Sequence, residues 1–312
     1  MTTTPAAQPA SPHPASAPVG RTVWLDGDLV PQADANISVF DHGVLYGDGV
    51  FEGIRIYNGR VFKLDTHLRR LFASALSLRL DIGYTIEELA AATRATVDAN
   101  GLTNGYIRLC VTRGNGPLGI NPFLCEKSRT FIIAASIKLY PEQMYREGMS
   151  IITAATVRNH AAALSPRIKS LNYLNNIMAK IEAVDAGVPE AVMLNPQGFV
   201  AECTGDNLFI VRDSPLGSAV VTPPLHAGIL EGVTRNEVMK LAHNAGYTVV
   251  EQDLTRHDLY VANELFLTGS AAEVIAVTKV DGRVIGQGVP GPITNDLIGR
   301  FRALVANDAP ED

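Results

Sequence analysis

The sequence is poor in cysteine and aromatic residues and has no long apolar run. Its three cysteines among 312 residues, Cys110, Cys125 and Cys203, are too few and too scattered for a disulfide framework or a zinc cage. Apolar runs such as 131–135 are far shorter than the roughly 20 residues that span a bilayer. No CxxC, HExxH or His-x3-His spacing occurs. The sequence therefore predicts a metal-independent, cytoplasmic protein without a membrane partner.

The charge is mildly negative and shows no basic cluster. The chain has 26 basic and 32 acidic side chains, a net charge of -6, and no Lys/Arg run longer than two residues. Nucleic acid is therefore not expected as a partner, because its recognition needs a basic patch. Apolar residues make up 46% and charged residues 19% of the chain, which is typical of a globular protein and excludes wholesale disorder.

Composition divides the chain into a tail and two folded units. Residues 1–20 contain no Asp, Glu, Lys or Arg and are rich in Ala and Pro, so we expect a disordered tail. A small N-terminal α+β domain is predicted over residues 21–140, a linker over 141–148 and a larger C-terminal domain over 149–312. The stretch 137–146 around this linker is a candidate flexible lid. The cleft between two such domains is the favoured place for a ligand.

Turn and capping signals predict the elements of the N-terminal domain. The pair Asn58-Gly59 is a strong hairpin signal, and Thr85 with Glu88 forms a capping box at a helix start. Apolar residues at three- and four-residue spacing predict a further helix. The predicted elements are strands over 23–25, 29–30, 51–57, 61–64, 106–113 and 129–137 and helices over 65–80 and 85–101.

The C-terminal domain is predicted in the same way. Thr234 with Glu237 is expected to cap a helix that ends at Gly246. A helix over 170–186 is predicted from an apolar stripe at helical spacing, formed by Leu171, Leu174, Met178 and Ile181. The remaining predicted elements are strands over 150–156, 191–194 and 199–202 and a final helix over 294–305.

Three segments are candidates for chemistry. Lys169 is one of seven lysines and precedes an apolar helix, whose N-terminus would disfavour the ammonium form, as Schiff-base chemistry prefers. An ordinary solvated lysine is the commoner alternative. Segments 228–235 and 267–273 place small residues at a helix start and after a strand, where backbone amides can receive a phosphate or another anion. A plain capped helix and a plain turn are the alternatives there.

The glycine-rich segment 114–119 is a weaker signal. It matches GxGxxG, but a dinucleotide site also needs a helix that opens at the glycines and an acidic residue about 20 positions later. Pro117 and Pro122 favour a loop instead. We therefore expect a glycine-rich loop at the edge of the cleft.

Taken in order, these segments resemble the fold-type IV family of pyridoxal-phosphate aminotransferases, most closely the branched-chain amino-acid aminotransferases. The likeness spans about residues 22–305. It rests on five segments: 41–55, 165–174, 198–207, 228–235 and 267–273. The resemblance implies a two-domain α+β fold like that of D-amino-acid aminotransferase, with the cofactor pyridoxal 5'-phosphate in the cleft.

The resemblance also implies a role for each matching residue. Lys169 would form the internal aldimine with the cofactor and shuttle the proton, Glu202 would face the pyridine nitrogen and Tyr173 would bond the ring hydroxyl. The further cofactor-binding residues it implies are Arg70, Leu230, Gly232, Val233, Thr234 and Ser270. The substrate-binding residues it implies are Tyr46, Phe51, Gly53, Tyr106, Arg108, Ala271 and Ala272.

The implied activity is transfer of the amino group of branched-chain L-amino acids to 2-oxoglutarate in two ping-pong halves. Gly53 leaves room for an aliphatic side chain, and Arg108 can meet the distal carboxylate of glutamate. The alternatives are a D-amino-acid or (R)-amine transaminase, an aminodeoxychorismate lyase, and a non-catalytic pyridoxal-phosphate binder. The resemblance further implies a homodimer or a higher homo-oligomer in which a neighbouring loop completes the pocket, with 114–121 as the candidate loop.

Overall fold

The computed structural model of the chain describes residues 19–214 and 217–307. The predicted tail over residues 1–20 lies outside the described residues except for its last two, which belong to the first strand. The described part of the chain builds two β-sheets with helices packed on them, which is the predicted α+β class. None of the helices described is long and apolar enough to cross a membrane.

The first sheet is antiparallel throughout and has six strands. They are β1 (Val19–Leu25), β2 (Asp28–Pro31), β3 (Gly49–Tyr57), β4 (Arg60–Val61), β5 (Gly105–Thr112) and β6 (Arg129–Ala135). Their order in the sheet is β2-β1-β6-β5-β3-β4. A short helix α1 (His42–Tyr46) precedes β3, and helices α2 (Leu64–Ser77) and α3 (Ile86–Ala99) pack on the sheet.

The second sheet is mixed and has nine strands. They are β7 (Met149–Thr153), β8 (Glu190–Leu194), β9 (Val200–Cys203), β10 (Asn207–Ser214), β11 (Gly217–Thr222), β12 (Thr248–Glu251), β13 (Glu264–Gly269), β14 (Glu273–Val280) and β15 (Arg283–Val284). The main path runs β12-β11-β10-β13-β14-β7-β8-β9, and β15 pairs with β14. The accompanying helices are α4 (Glu142–Glu147), α5 (Leu174–Asp185), α6 (Val233–Asn244), α7 (Arg256–Tyr260) and α8 (Pro292–Ala306).

An apolar cluster joins the two sheets. Tyr57, at the end of β3, and Phe62, which follows β4, pack among Phe209, Phe266 and Phe301 of the second unit. The ring centroids of Phe62 and Phe301 are 5.9 Å apart at a steep interplanar angle, which is a favourable edge-to-face geometry. Burying large aromatic side chains stabilises such a contact strongly. The cluster therefore fixes how the first sheet faces the second.

Strand β3 is central to this arrangement because both of its faces are covered. Eight of its nine residues are buried. Ile54 and Ile56 pack in the core beneath α2, where Leu64 and Leu68 are fully buried, whereas Tyr57 packs into the cluster between the sheets. A strand buried on both faces is held rigidly, so it is a precise support for site residues.

Two predicted helices differ from those observed. The helix predicted over 65–80 runs from Leu64 to Ser77, so the strand predicted over 61–64 ends at Val61. The helix predicted over 170–186 begins only at Leu174, because the backbone before it pairs with β3: the amide of Leu171 donates to the carbonyl of Gly49 at 2.9 Å. Lys169 therefore does not lie at a helix N-terminus.

The apolar stripe of α5 faces away from the sheet. Its inner face is made by Asn176, Ala179 and Ala183, which are buried. The predicted stripe residues Leu174, Met178 and Ile181 are 69%, 49% and 47% exposed. The 3.6-residue periodicity predicted a helix here, and the apolar stripe is its exposed face rather than the face that packs on the sheet.

The predicted cap of α6 is also wrong. Gly232 is the N-cap and no side chain caps the helix, while Thr234 lies buried inside the first turn. The segment predicted as a linker, 141–148, holds α4, whose Met144 and Tyr145 pack against the core of the second unit.

The capping box of α3 is present as predicted. The Glu88 amide donates to the Thr85 hydroxyl at 3.1 Å, and the Thr85 amide donates to the Glu88 carboxylate at 2.7 Å. We expect Thr85→Ala to lower the free energy of unfolding by about 1 kcal/mol, because the helix start loses an acceptor for its free amide. Urea unfolding measures this loss. Thr85→Ser keeps the acceptor and should behave as the unsubstituted protein; an equal loss in both variants would contradict the capping explanation.

Candidate active site

The two sheets enclose a cleft with a volume of about 520 Å³. Its walls come from β3 and β5 of the first sheet, the segment before α5, β9, the start of α6 and the turn after β13. The sequence-predicted site residues that line this cleft are Phe51, Gly53, Arg70, Tyr106, Arg108, Lys169, Tyr173, Glu202, Leu230, Gly232, Val233, Thr234, Ser270 and Ala271. Residues far apart in the sequence are thus brought to one place.

The backbone of Lys169 is fastened to the first sheet. Its carbonyl accepts from the Phe51 amide at 3.0 Å, and its own amide donates to the Ser74 hydroxyl of α2 at 3.1 Å. Ser170 forms a bridge with Val50. An extended segment in register with a buried strand has little freedom, so the lysine side chain leaves the backbone at a fixed point.

The side-chain nitrogen of Lys169 lies among aromatic groups. Its Nζ donates to the Tyr173 hydroxyl at 3.2 Å and lies 4.6 Å from the centroid of the Phe51 ring. The rings of Phe51 and Tyr173 meet edge to face with centroids 4.9 Å apart. Lys169 forms no salt bridge with any carboxylate of the described residues. An amine held in this way can react or move a proton without first breaking an ion pair.

Glu202 places a buried carboxylate in the wall of the cleft. It accepts from Arg158 Nη2 at 2.8 Å, from the Leu230 amide at 3.0 Å and from Asn207 Nδ2 at 3.1 Å. Burial raises the pKa of Glu202, although the charge of Arg158 and the hydrogen bonds oppose the rise. A buried carboxylate of this kind is stabilised by a cationic ring nitrogen placed beside it.

The start of α6 offers free amides to the cleft. Gly232 is the N-cap without a side-chain cap, so the amides of Val233 and Thr234 lack an acceptor within the helix. A β-carbon at Gly232 would collide with Asn207 Oδ1, so the close approach of these segments requires glycine. Uncapped amides and the helix dipole together form an anion site.

Arg70 connects the two walls beside this anion site. Its guanidinium donates from Nε and Nη2 to the two carboxylate oxygens of Glu52, both at 2.8 Å, and from Nη1 to the Glu231 carbonyl at 2.7 Å. His67 Nδ1 lies 2.7 Å from the same carboxylate. Burial would raise the pKa of Glu52, but the charge of Arg70 and the hydrogen bonds from Arg70 and His67 outweigh burial and hold it well below its usual range. The guanidinium is therefore oriented before any anion arrives.

A small apolar recess lies on the β3 and β5 side of the cleft. Arg108 stacks over the Phe51 ring at 4.4 Å, and Gly53 pairs with Arg108 in the register of the two strands. A β-carbon at Gly53 would collide with the Tyr106 hydroxyl. The Tyr106 hydroxyl can therefore occupy its position only because residue 53 has no side chain.

Two predicted substrate residues lie outside this recess. Tyr46 is 38% exposed at the end of α1 and its hydroxyl accepts from the Gly119 amide at 2.8 Å, so it contacts the 114–121 loop rather than the cleft of its own chain. Ala272 is fully buried behind the turn formed by Ser270 and Ala271. Only the backbone of Ala272 contributes to that turn.

Sequence reasoning did not single out Glu52, Arg158 or Asn207 as site residues. Glu52 entered the sequence analysis only as a member of the segment 41–55, on which the family resemblance partly rests. Arg158 comes from the irregular segment between β7 and α5, and it is only 6% exposed while its guanidinium contacts Glu202. No local pattern marks a loop arginine as buried. For Asn207, the available signal is a polar residue at the first position of an apolar strand.

Comparison with known proteins agrees with this geometry. The model of the family described as amino-transferase class IV matches residues 49–280. The chain belongs to the class IV aminotransferases. The two-domain fold expected for that family is confirmed by solved structures that superpose on nearly the whole chain.

Individual relatives carry the names of branched-chain-amino-acid and D-alanine aminotransferases. A protein of Methanocaldococcus jannaschii with the provisional name branched-chain-amino-acid aminotransferase is 49% identical over 90% of this chain and 96% of its own length. D-alanine aminotransferase of Bacillus licheniformis is 36% identical over 88% of this chain and 94% of its own. The branched-chain amino acid aminotransferase of T.th. was solved with pyridoxamine 5'-phosphate. Its sequence is 37% identical to this chain. The two structures superpose with a TM-score of 0.88, and the match covers 94% of this chain and 96% of that one. The same protein was solved with N-(5'-phosphopyridoxyl)-L-glutamate.

The Glu52 network predicts a pH-dependent contribution to stability. Because the folded-state pKa of Glu52 is below the ordinary value of 4.5, its charge stabilises the fold at neutral pH and this contribution declines as the pH falls below that value. We expect Glu52→Gln to lower the free energy of unfolding by about 3 kcal/mol at pH 7, since Arg70 loses a buried counter-charge. Urea unfolding at pH 7 and at pH 4 should show the difference between the two proteins shrinking at the lower pH.

Glu147→Gln is the matched control for that experiment. The Glu147 side chain is 58% exposed and pairs with Arg146 on the surface. We expect no measurable change in the free energy of unfolding. A difference between Glu52→Gln and the unsubstituted protein that stayed constant with pH would contradict the ionic account.

Proposed function

We propose that the protein is a pyridoxal-phosphate-dependent transaminase that moves the amino group of branched-chain L-amino acids to 2-oxoglutarate in two ping-pong halves. The observation that carries this proposal is the convergence of Lys169 Nζ, the Glu202 carboxylate and the uncapped start of α6 in one cleft. An amine, a buried carboxylate and an anion site are the three groups that this cofactor requires.

The residues of the cleft fit pyridoxal phosphate. The Lys169 amine suits the aldehyde, Tyr173 the ring hydroxyl and Glu202 the ring nitrogen. The phosphate would be held by Arg70, by the Val233 and Thr234 amides and by the Ser270 hydroxyl, and Leu230 would pack on the ring. The uncapped helix start and the Gly232 backbone, which a β-carbon would push against Asn207, favour this placement. When bound, the cofactor supplies a ring that accepts electrons from the substrate α-carbon.

The protein side chains supply binding and proton transfer. Lys169 Nζ, which donates to the Tyr173 hydroxyl at 3.2 Å, would take the proton from the substrate α-carbon and hold it at Nζ. Arg158 and the Leu230 amide favour the charged form of Glu202 and so oppose the rise in its pKa that burial causes. The Ser270 and Ala271 turn, backed by the Ala272 backbone, binds the substrate carboxylate.

The recess beside β3 supports the proposed specificity. The Tyr106 hydroxyl fills the space over Gly53, so an aliphatic side chain would be received by the cleft surface that Phe51 and Tyr106 form together. Arg108 can reach the distal carboxylate of 2-oxoglutarate when that substrate occupies the same recess. The T.th. relative is named for branched-chain amino acids and was solved with a phosphopyridoxyl-glutamate adduct. Its name supports the proposed donor half-reaction, and the adduct supports the half-reaction that forms glutamate.

A D-amino-acid transaminase is the second candidate. The observation that favours it is the 36% identity to D-alanine aminotransferase. Both reactions would use the same lysine. The two candidates therefore differ in the configuration at the substrate α-carbon that the cleft accepts. An amino-donor panel with both enantiomers of leucine, valine and alanine separates them.

We expect the holoenzyme to transaminate L-leucine with 2-oxoglutarate, and we expect Lys169→Ala to lose about 10⁴-fold or more in kcat because the reacting amine is removed. Glutamate formation in a coupled assay measures the rate. Lys279→Ala removes an exposed lysine from β14 and should retain full activity. Activity in Lys169→Ala equal to that of the Lys279→Ala control, or turnover of D-alanine alone, would refute the proposed function.

We further propose that the protein forms a homodimer. The outward face of α5 presents an apolar stripe that a soluble monomer seldom exposes, made by Leu174, Ile177, Met178, Ile181 and Val184. Asn172 Nδ2 donates to the Gly47 carbonyl at 2.8 Å, so this face continues into α1 and the 114–121 loop. Leu118 and Ile120 of that loop are 76% and 84% exposed and, with Tyr46, would complete the pocket of a second copy.

We expect Ile181→Asp to convert the dimer to a monomer, because a charge is placed in the apolar interface. Sedimentation velocity measures the change in mass. Val261→Asp is the control, since Val261 is similarly exposed, at 61%, but lies at the C-cap of α7. Equal masses for both variants and the unsubstituted protein would contradict this interface.

The cysteines support a proposed cytoplasmic location. All three are free, and Cys110 and Cys203 are buried. Burial raises the pKa of the Cys110 thiol to about 12, so this thiol is unreactive at neutral pH. Unpaired buried thiols are typical of a reducing compartment.

A further inference from the structure

Glu273 has an unusual backbone conformation beside the cleft. Its φ is 61°, in the left-handed region that residues other than glycine rarely adopt. It pairs with Gly269 at the end of the β13–β14 hairpin, so Ser270, Ala271 and Ala272 form a three-residue loop between them. A residue that closes such a turn in the left-handed region is usually glycine, which has no β-carbon to be strained there. A side chain kept at this position needs a compensating contact.

The Glu273 carboxylate makes that contact with the other sheet. Its Oε1 accepts from Tyr57 Oη at 2.9 Å and from Arg55 Nη2 at 3.1 Å. The pair is largely shielded from water, with side-chain exposures of 17% for Arg55 and 21% for Glu273. Burial and the Glu273 charge raise the pKa of Tyr57, so its hydroxyl remains a donor. The loop of the second unit is thus fastened to a strand of the first.

The fastening point is next to the substrate recess. Residues 53, 55 and 57 of β3 share one face, because side chains alternate along a strand. Gly53 lies in the recess, and Arg55 is paired in register with Tyr106, whose hydroxyl stands over Gly53. Residues 53, 55 and 57 thus form one row on β3. Gly53, at one end of the row, shapes the recess, and Arg55 and Tyr57 hold Glu273 at the end of the Ser270–Ala272 loop.

We propose that Glu273 is a positioning residue for recognition of the substrate carboxylate. Its contact with Arg55 and Tyr57 holds the left-handed backbone and thereby fixes the direction of the Ser270 and Ala271 amides. This inference rests on the proposed function, in which that loop binds the carboxylate. Glu273 itself touches neither substrate nor reacting atoms.

Glu273→Gly and Glu273→Gln separate this role from a purely structural one. Glycine accepts the left-handed φ without strain but removes the tie, whereas glutamine keeps an oxygen for Arg55 and Tyr57. We expect the KM for L-leucine and for 2-oxoglutarate to rise about tenfold in Glu273→Gly with kcat changed less than about threefold, because ground-state and transition-state binding weaken together. Glu273→Gln should restore most of the affinity.

A binding measurement without turnover gives a second readout. Calorimetric titration of the holoenzyme with 4-methylpentanoic acid, a branched carboxylate without an amino group, should show about tenfold weaker binding in Glu273→Gly. Asn58→Gly is the matched control: Asn58 has a φ of 51° in an exposed hairpin turn and does not line the cleft. That variant should leave KM, kcat and the titration unchanged.

The outcomes distinguish this inference from the proposed function. An unsubstituted holoenzyme that fails to transaminate any amino donor refutes the proposed function, and this inference with it. An active enzyme whose Glu273→Gly variant keeps its KM and its affinity for 4-methylpentanoic acid overturns this inference alone. So does a variant that loses kcat and melting temperature together with KM, because that pattern is general destabilisation.

Discussion

The active site depends on backbone pairing between the lysine segment and strand β3. The Phe51 amide donates to the Lys169 carbonyl, and the Leu171 amide donates to the Gly49 carbonyl. These bonds place a residue of the second unit on a strand of the first. Since β3 is buried on both faces, the Lys169 side chain inherits a rigid support, and the cleft exists only while the two units are held together.

Two buried carboxylates around this support are each paired with an arginine from another element. Glu52 of β3 holds Arg70 of α2, and Glu202 of β9 is held by Arg158 from the segment before α5. A buried charge without a partner is costly, so removal of either member of a pair leaves an uncompensated group. The pairing also orients the groups: Arg70 is directed toward the α6 anion site and Glu202 toward the cleft. The same contacts that stabilise the fold thus prearrange the groups for a phosphate and a cationic ring.

Local sequence signals correctly predicted those features that depend on hydrogen bonds between residues close together in the chain. The Asn58-Gly59 turn and the Thr85–Glu88 capping box are present, because their hydrogen bonds lie within a few residues. The start of α5 was predicted wrongly, because Leu171 fits a helical pattern but pairs with β3 across the fold. Its apolar stripe is exposed, and small residues such as Ala179 and Ala183 face the sheet instead. Periodicity shows that a helix is amphipathic but does not show which face packs inward.

The candidate site was predicted largely through family resemblance rather than through spacing. Lys169, Glu202 and Thr234 have no local signal that links them, and the fold brings them together. Arg158 could not be found in this way, since burial of a loop arginine is visible only in three dimensions. The most direct test of the account is reduction of the holoenzyme with borohydride, followed by digestion and mass spectrometry of the peptides. The account predicts a phosphopyridoxyl group on the peptide that contains Lys169; its attachment to another lysine, or no attachment, would contradict the account.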